Sequence, residues 1–186
     1  MLQFVEKVIL SFYNDKTIEV KECGGGYYGK VYLAIFAKSP HKVIVKFYYR
    51  SGFCEREKQQ LEELSKYALL KVPATYFMYR ADENVPYDAL VMEYIEGQNA
   101  GNIKEIPENA RDYIAEKIVD NLIALHRTVR REGFGELHST NSVHDWRIYY
   151  RQKADEIIKK AEMLFEKGRI SKECIAIVRE ALKILS

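Results

Sequence analysis

Along this chain the spacing of hydrophobic and polar positions switches between helical and strand periods. Leu2, Val5, Val8, Ile9 and Phe12 recur at helical spacing around Glu6 and Lys7, which predicts a short amphipathic opening helix. From Thr17 the period falls to two. Thr17, Ile18, Glu19, Val20 and Lys21 alternate as a half-buried strand does. Glycines punctuate that strand, residues 30–37 read as a second, Ser39-Pro40 as a turn and residues 41–49 as a third. The short connections predict antiparallel neighbours. Over residues 54–70 the helical period returns, with Leu61, Leu64 and Ala68 on one face and Pro73 as the stop. Residues 74–80 and 88–94 are two further strands joined by a polar loop containing Pro86. The fold class is therefore α+β, a five-stranded antiparallel sheet with one inserted helix.

After Gly97-Gln98-Asn99-Ala100-Gly101-Asn102, which reads as a hinge or linker, the rest of the chain is helical. Pro107 suits a first helical position, and Tyr113, Ile114, Ile118, Leu122 and Leu125 follow at three- and four-residue spacing. Gly133 and Gly135 bracket a loop, and Ser142 with Asp145 resembles a capping pair. Trp146, Tyr150, Ala154, Ile157, Ala161 and Leu164 line the next helix. Ser171 can cap a last one carrying Ile175, Val178, Leu182 and Leu185. The expected division is residues 1–96 and 97–186.

Composition narrows the function classes. The chain has 186 residues, is 47% hydrophobic and 30% charged, and carries a formal net charge of +2. That near-balance supplies no field for gathering nucleic acid or an anionic membrane. The longest apolar run, residues 31–37, falls far short of the ~20 residues that cross a bilayer. Cys23, Cys54 and Cys174 are far apart and odd in number, so neither a disulfide framework nor a zinc site is expected, and a reducing cytoplasm is the expected setting. Cys23 reads as a small apolar strand residue. Most of the 14 tyrosines read as core and edge packing.

The candidate chemistry begins at Gly24-Gly25-Gly26-Tyr27-Tyr28-Gly29-Lys30-Val31, which fits G-x-G-x-x-G-x-V. A backbone covering a triphosphate must approach its oxygens closely, and some of the required φ angles are positive. Glycine at 24, 26 and 29 meets both needs and turns N–H groups toward phosphate. Glycines that merely turn a hairpin are the plain alternative. Lys46 ends the β-branched run Val43-Ile44-Val45, so it is expected to face inward, where an ammonium can reach α- and β-phosphate oxygens. Glu57 lies four and seven residues before Leu61 and Leu64, and so is expected to point at the sheet and hold that lysine. Val31 and Met92 are expected beside the adenine ring, with the Glu93 carbonyl and the Ile95 N–H as its main-chain partners. The cofactor implied is ATP or GTP.

These pieces, in this order and spacing, resemble the aminoglycoside phosphotransferase family of small-molecule kinases, which includes choline, homoserine and fructosamine kinases. Val72-Pro73, Val91-Met92-Glu93-Tyr94-Ile95-Glu96-Gly97 and Ala124-Leu125-His126 add to the resemblance. It implies a kinase-like small lobe followed by the all-helical start of a large lobe. It also implies transfer of the ATP γ-phosphoryl group, with magnesium, to a hydroxyl of a small molecule. His126 is read as structural. The departure lies downstream. The family places a catalytic aspartate and asparagine in a histidine-led segment, followed by a metal-binding aspartate. Neither His138-Ser139-Thr140-Asn141 nor His144-Asp145-Trp146 fits that segment, and Asp145 reads as a helix cap. The expectation is a truncated chain, a cleaved fragment or a natural remnant that binds nucleotide and supplies no catalytic or metal-binding residue of its own. The alternative is a non-catalytic nucleotide-binding or interaction module, with self-association through exposed helical faces.

Overall fold

The computed structural model describes all residues except 99, 129–132, 137–141 and 184–186. Contacts divide the chain into two compact units, Met1–Val129 and Arg130–Ser186.

The first unit opens with helix α1 (Leu2–Phe12), which buries Val5, Val8 and Ile9 as the periodicity predicts, whereas Leu2, placed by the pattern on the same face, is exposed along with Leu10. Strands β1 (Glu19–Gly25), β2 (Gly29–Ile35) and β3 (Lys42–Tyr48) form the antiparallel meander. Helix α2 (Phe53–Tyr67) then leads to β4 (Thr75–Tyr79) and β5 (Ala89–Glu93). The sheet order is β1-β2-β3-β5-β4. Sequential pairing holds through β3 and fails for β4, because α2 carries the chain to the far edge and β5 fills the gap.

Alternation along the central strands gives the sheet two different faces. Tyr32, Ala34, Phe36, Val43, Val45, Phe47, Ala89 and Val91 are each 2% exposed or less and form one cluster with the buried side chains of α1. The opposite face is covered less completely. There Tyr48, Leu90 and Met92 are buried with Cys54 of α2, while Val31, Leu33, Ile35 and Ile44 remain half-buried. One sheet face is thus a closed core and the other a partly roofed apolar surface.

Helix α2 ends earlier than the sequence predicts. The chain leaves the helix at Ala68, whose ψ is 137°, and the freed N–H groups of Leu69 and Leu70 donate to Asn121 Oδ1 at 2.7 and 3.1 Å. Asn121 belongs to α3 (Glu108–Thr128), so one side chain ties two helices. Asn121→Ala is expected to cost roughly 1 kcal/mol, the net worth of such hydrogen bonds, readable as a lower urea midpoint with unchanged slope. Leu64 is exposed, not part of the covered face. Tyr113, Ile114, Ile118 and Leu122 of α3 are also exposed, so that helix presents its apolar residues outward. A 3-10 turn (Ala100–Asn102) interrupts the expected linker.

The second unit contains α4 (Trp146–Glu166) and α5 (Lys172–Lys183), preceded by a single bridge between Phe134 and Val143. Asp145 caps α4 by accepting from the Arg147 N–H at 2.8 Å, as expected. Gly168, at φ 66°, provides the left-handed residue that ends α4. Ala154, Ala161 and Ile175 are buried, and Arg179 reaches Glu162 at 2.6 Å across the helix pair. The segment His138-Ser139-Thr140-Asn141 lies outside the described residues, as do Asn99 and Leu185. Among the tyrosines, Tyr32 and Tyr48 belong to the core, while Tyr27, Tyr28, Tyr49, Tyr113 and Tyr150 are exposed.

Candidate functional site

Strand register assembles the site. Gly24 pairs with Val31, Val31 with Lys46, and Lys46 with Leu90, so these four residues form a cross-strand row over β1, β2, β3 and β5. Directly opposed residues share a face. The adjoining row is Leu33, Ile44 and Met92. Lys46 therefore stands at the edge of the partly roofed apolar surface formed by Val31, Leu33, Ile44 and Met92.

Above that surface, α2 brings Glu57 to Lys46. The lysine Nζ donates to both carboxylate oxygens, at 2.7 and 2.6 Å. The two side chains are 25% and 30% exposed, so the pair is sheltered without being sealed. An ammonium has three N–H donors, and Glu57 takes two of them. The Lys46 Nζ also lies over the Tyr48 ring, 5.2 Å from its centroid, a cation–π contact that the sequence reasoning missed. Cys54, on the first turn of α2, is no nucleophile, since burial pushes its thiol up to about 12.

The glycine segment is a tight hairpin. Gly24 and Gly25 end β1, Gly29 begins β2, and the Gly26 N–H donates to the Gly29 carbonyl at 2.9 Å. The expectation of positive φ is corrected. Among the described residues the glycines with positive φ are Gly52, Gly97 and Gly168, so left-handed geometry does not explain glycine at 24, 26 or 29. Space does, in two different ways. A Cβ on Gly29 would sit 1.8 Å from the Phe47 carbonyl oxygen, whereas Cβ atoms on Gly24 and Gly26 would meet nothing within 4 Å. Cys23 lies within β1, as its reading as a strand residue expects, at a bulge between Glu22 and Gly24, and is exposed like most of that edge strand.

The hairpin tip is fastened to the segment after β3. The Tyr49 N–H donates to the Tyr28 carbonyl at 3.0 Å, and Tyr28 stacks on Phe53 with ring centroids 5.2 Å apart. Arg50 donates to the Tyr27 hydroxyl at 2.6 Å and lies 5.0 Å from that ring's centroid. Arg50→Ala should leave the melting temperature within about 1 °C of wild type, since Arg50 is exposed and surface pairs contribute little. It should also speed chymotryptic cleavage after Tyr27 and Tyr28 severalfold, as peptide mapping would detect.

At the end of β5, Glu93 is held by side chain as well as backbone. Lys71 donates to its carboxylate at 2.8 Å, the Ala74 N–H donates to the same carboxylate at 3.1 Å, and the Glu93 N–H donates to the Ala74 carbonyl at 2.8 Å. The Lys71 hydrogen bond, then the Ala74 N–H, hold this carboxyl below the usual glutamate range. A depressed carboxylate contributes stability above its unfolded value of about 4.3 and loses it as pH falls through the folded one. Wild-type protein should therefore lose more stability than Lys71→Met on acidification below about pH 4, as paired acid-denaturation curves would record. Ile95 is 42% exposed, and Lys42 bridges to Glu96 while lying over Tyr94. His126 is exposed in the last turn of α3.

Among the described residues no group of three or more His, Cys, Asp or Glu could hold a metal ion, and no helix is long and apolar enough to cross a membrane.

Comparison with known proteins gives this geometry a context. The model of the phosphotransferase enzyme family matches residues 19–172. Two solved structures of an aminoglycoside phosphotransferase, APH(2'')-IIa, resemble the chain. One is its complex with gentamicin, with a TM-score of 0.62, 15% identity, and coverage of 94% of this chain and 54% of that one. The other is its ternary complex with streptomycin and ATP, with a TM-score of 0.55, 15% identity, and coverage of 91% and 55%. At that identity the likeness is one of fold: the sheet-and-helix half followed by helices is the kinase-like arrangement. The chain spans about half the length of these structures. No curated protein matches it.

Proposed function

This chain belongs to the phosphotransferase enzyme family, and from that premise we propose that its partly roofed sheet face binds ATP or GTP. The observation that carries the proposal is the cross-strand row in which Lys46, doubly bonded to Glu57, borders the apolar strip of Val31, Leu33, Ile44 and Met92. In this reading Val31, Leu33, Ile44 and Met92 contact the base, and the main chain at Glu93 and Ile95 meets its polar edge. Lys46 draws in the α- and β-phosphates as a point charge, and Glu57 fixes its direction. Gly24 and Gly26, with open space where a side chain would stand, let the hairpin backbone approach the phosphates. Glu93 takes part through its backbone, because its carboxylate is already engaged by Lys71 and Ala74.

The acceptor is proposed to be a small hydroxyl-bearing molecule, in line with the gentamicin and streptomycin complexes of the solved structures. A magnesium ion would neutralise the phosphates there. Among the described residues no group of three or more His, Cys, Asp or Glu side chains fits that ion. A second reading, a non-catalytic nucleotide-binding module that associates through its helices, draws on the exposed apolar residues of α3. Light scattering across a concentration series tests it, and a monomer throughout would count against it.

Calorimetric titration with a non-hydrolysable ATP analogue, followed by the Met92 methyl resonance, tests the main proposal. Saturable heat with a shift at Met92 is the expected result. The absence of both would sink it.

A further inference from the structure

A buried polar atom on the site face has no partner. Tyr48 is 2% exposed, yet its hydroxyl makes no hydrogen bond among the described residues. An unpaired buried hydroxyl costs stability, so its presence calls for a use. Its neighbours come from three directions. On β3 the Lys46 ammonium lies over the ring. Cys54 of α2 packs in the same buried cluster, and Glu57 of α2 reaches the ammonium that lies over the ring. Burial first, then the Glu57 charge and a Glu57 interaction that falls short of hydrogen-bond geometry, keep the phenol proton in place. From β5's approach the Asp88 carbonyl accepts the Tyr48 N–H at 3.0 Å, and across the sheet Tyr48 pairs with Gly29 of the hairpin. Tyr48 thus stands where the lysine, the glutamate and the glycine segment converge.

Resting on the nucleotide reading above, we propose that Tyr48 is a positioning residue for both members of the Lys46–Glu57 pair. In the free protein its ring holds the ammonium. When Lys46 turns toward phosphate, the Tyr48 hydroxyl becomes the donor that Glu57 accepts. The physical need is specific. A triphosphate that draws the ammonium away leaves a sheltered carboxylate unpaired beside like charge, which is costly. A phenol one pleat repeat along the same strand face supplies a donor without adding charge. The free state carries the cost of an unmade hydrogen bond, and the bound state recovers it.

A stability cycle on the full chain tests this without nucleotide, with Lys46→Met standing for the departed ammonium. In the wild-type background Tyr48→Phe removes an unpaired hydroxyl and should raise the melting temperature by about 2 °C. In the Lys46→Met background the hydroxyl has Glu57 to bond, and the same substitution should lower the melting temperature by about 2 °C. The same sign in both backgrounds would overturn the proposal. Calorimetry with the ATP analogue gives the second readout. Tyr48→Phe should bind about fivefold more weakly although it is more stable, a combination that a merely structural tyrosine does not produce. Unchanged affinity would overturn the proposal too. A wild-type chain that bound no nucleotide would overturn the nucleotide reading alone, and the sign of the unfolding cycle would still decide whether Glu57 changes partner.

Discussion

Gly29→Ala is expected to destabilise the fold by about 3 kcal/mol, the upper part of the range for forced overpacking. For a chain of this size that is a fall of roughly 6–12 °C in melting temperature. The cause is local and rigid. The new methyl would lie 1.8 Å from the Phe47 carbonyl oxygen, and the contact is with backbone, not with the end of a flexible side chain. Relief requires β2 to move off β3 at the Gly29–Tyr48 pair, two residues from the Lys46 row. Gly24→Ala and Gly26→Ala are the informative contrast. A methyl there meets nothing within 4 Å, so stability should hold within about 1 kcal/mol, or gain slightly because the unfolded chain loses freedom. Nucleotide affinity should nonetheless fall about tenfold, because the methyl occupies the space through which phosphate would approach the backbone. Urea unfolding and calorimetry on the three variants separate the glycine the fold needs from the two a ligand needs. Unaltered stability of Gly29→Ala would show that the strands separate easily. Unaltered affinity of the other two would remove the hairpin from the site.

How far this architecture was legible follows from which forces are local. The sequence predicted the strands because β-branched alternation from Val43 to Phe47 and the glycine punctuation act within a few residues. It predicted the Lys46–Glu57 contact because a period of two fixes the lysine's face and a period of 3.6 fixes the glutamate's. It overextended α2 because nothing near Leu69 and Leu70 signals that Asn121, some fifty residues away, accepts their N–H groups. Beside close approach to phosphate it expected positive φ at some of the glycines, and the described ones with positive φ lie elsewhere. The actual reason for Gly29 is the Phe47 carbonyl on the next strand, a contact visible only once the register is known. Tyr48 went unremarked for a similar reason. Its position two residues after Lys46 marks the shared face, but its unpaired hydroxyl is a property of the packed structure. The tyrosines at 27 and 28 read as packing, and they do pack, although on Arg50 and Phe53 at the surface and not in the core.

Lys46→Ala is expected to weaken binding of the ATP analogue by about 10–100-fold, the worth of one or two charge-assisted hydrogen bonds at 1.4 kcal/mol per factor of ten. Position makes this lysine different from the surface lysines around it. Lys30 is committed to Glu22 across the hairpin and Lys42 to Glu96, and both lie at least a third exposed, where water and salt weaken any hold on phosphate. Lys46 is sheltered, aimed by Glu57, and flanked in its row by Val31 and Leu90, neither of which can replace it. Truncation also leaves Glu57 as an uncompensated carboxylate facing the incoming phosphates. Repulsion therefore adds to the lost attraction, and Lys46→Ala/Glu57→Gln should recover part of the affinity. Lys46→Arg should not, because a planar five-donor fork does not fit a groove shaped for a point charge. Measured at fixed ionic strength, equal affinity in wild type and Lys46→Ala would mean that any nucleotide bound lies elsewhere. Recovery in the double variant would show that the two charges act on one ligand.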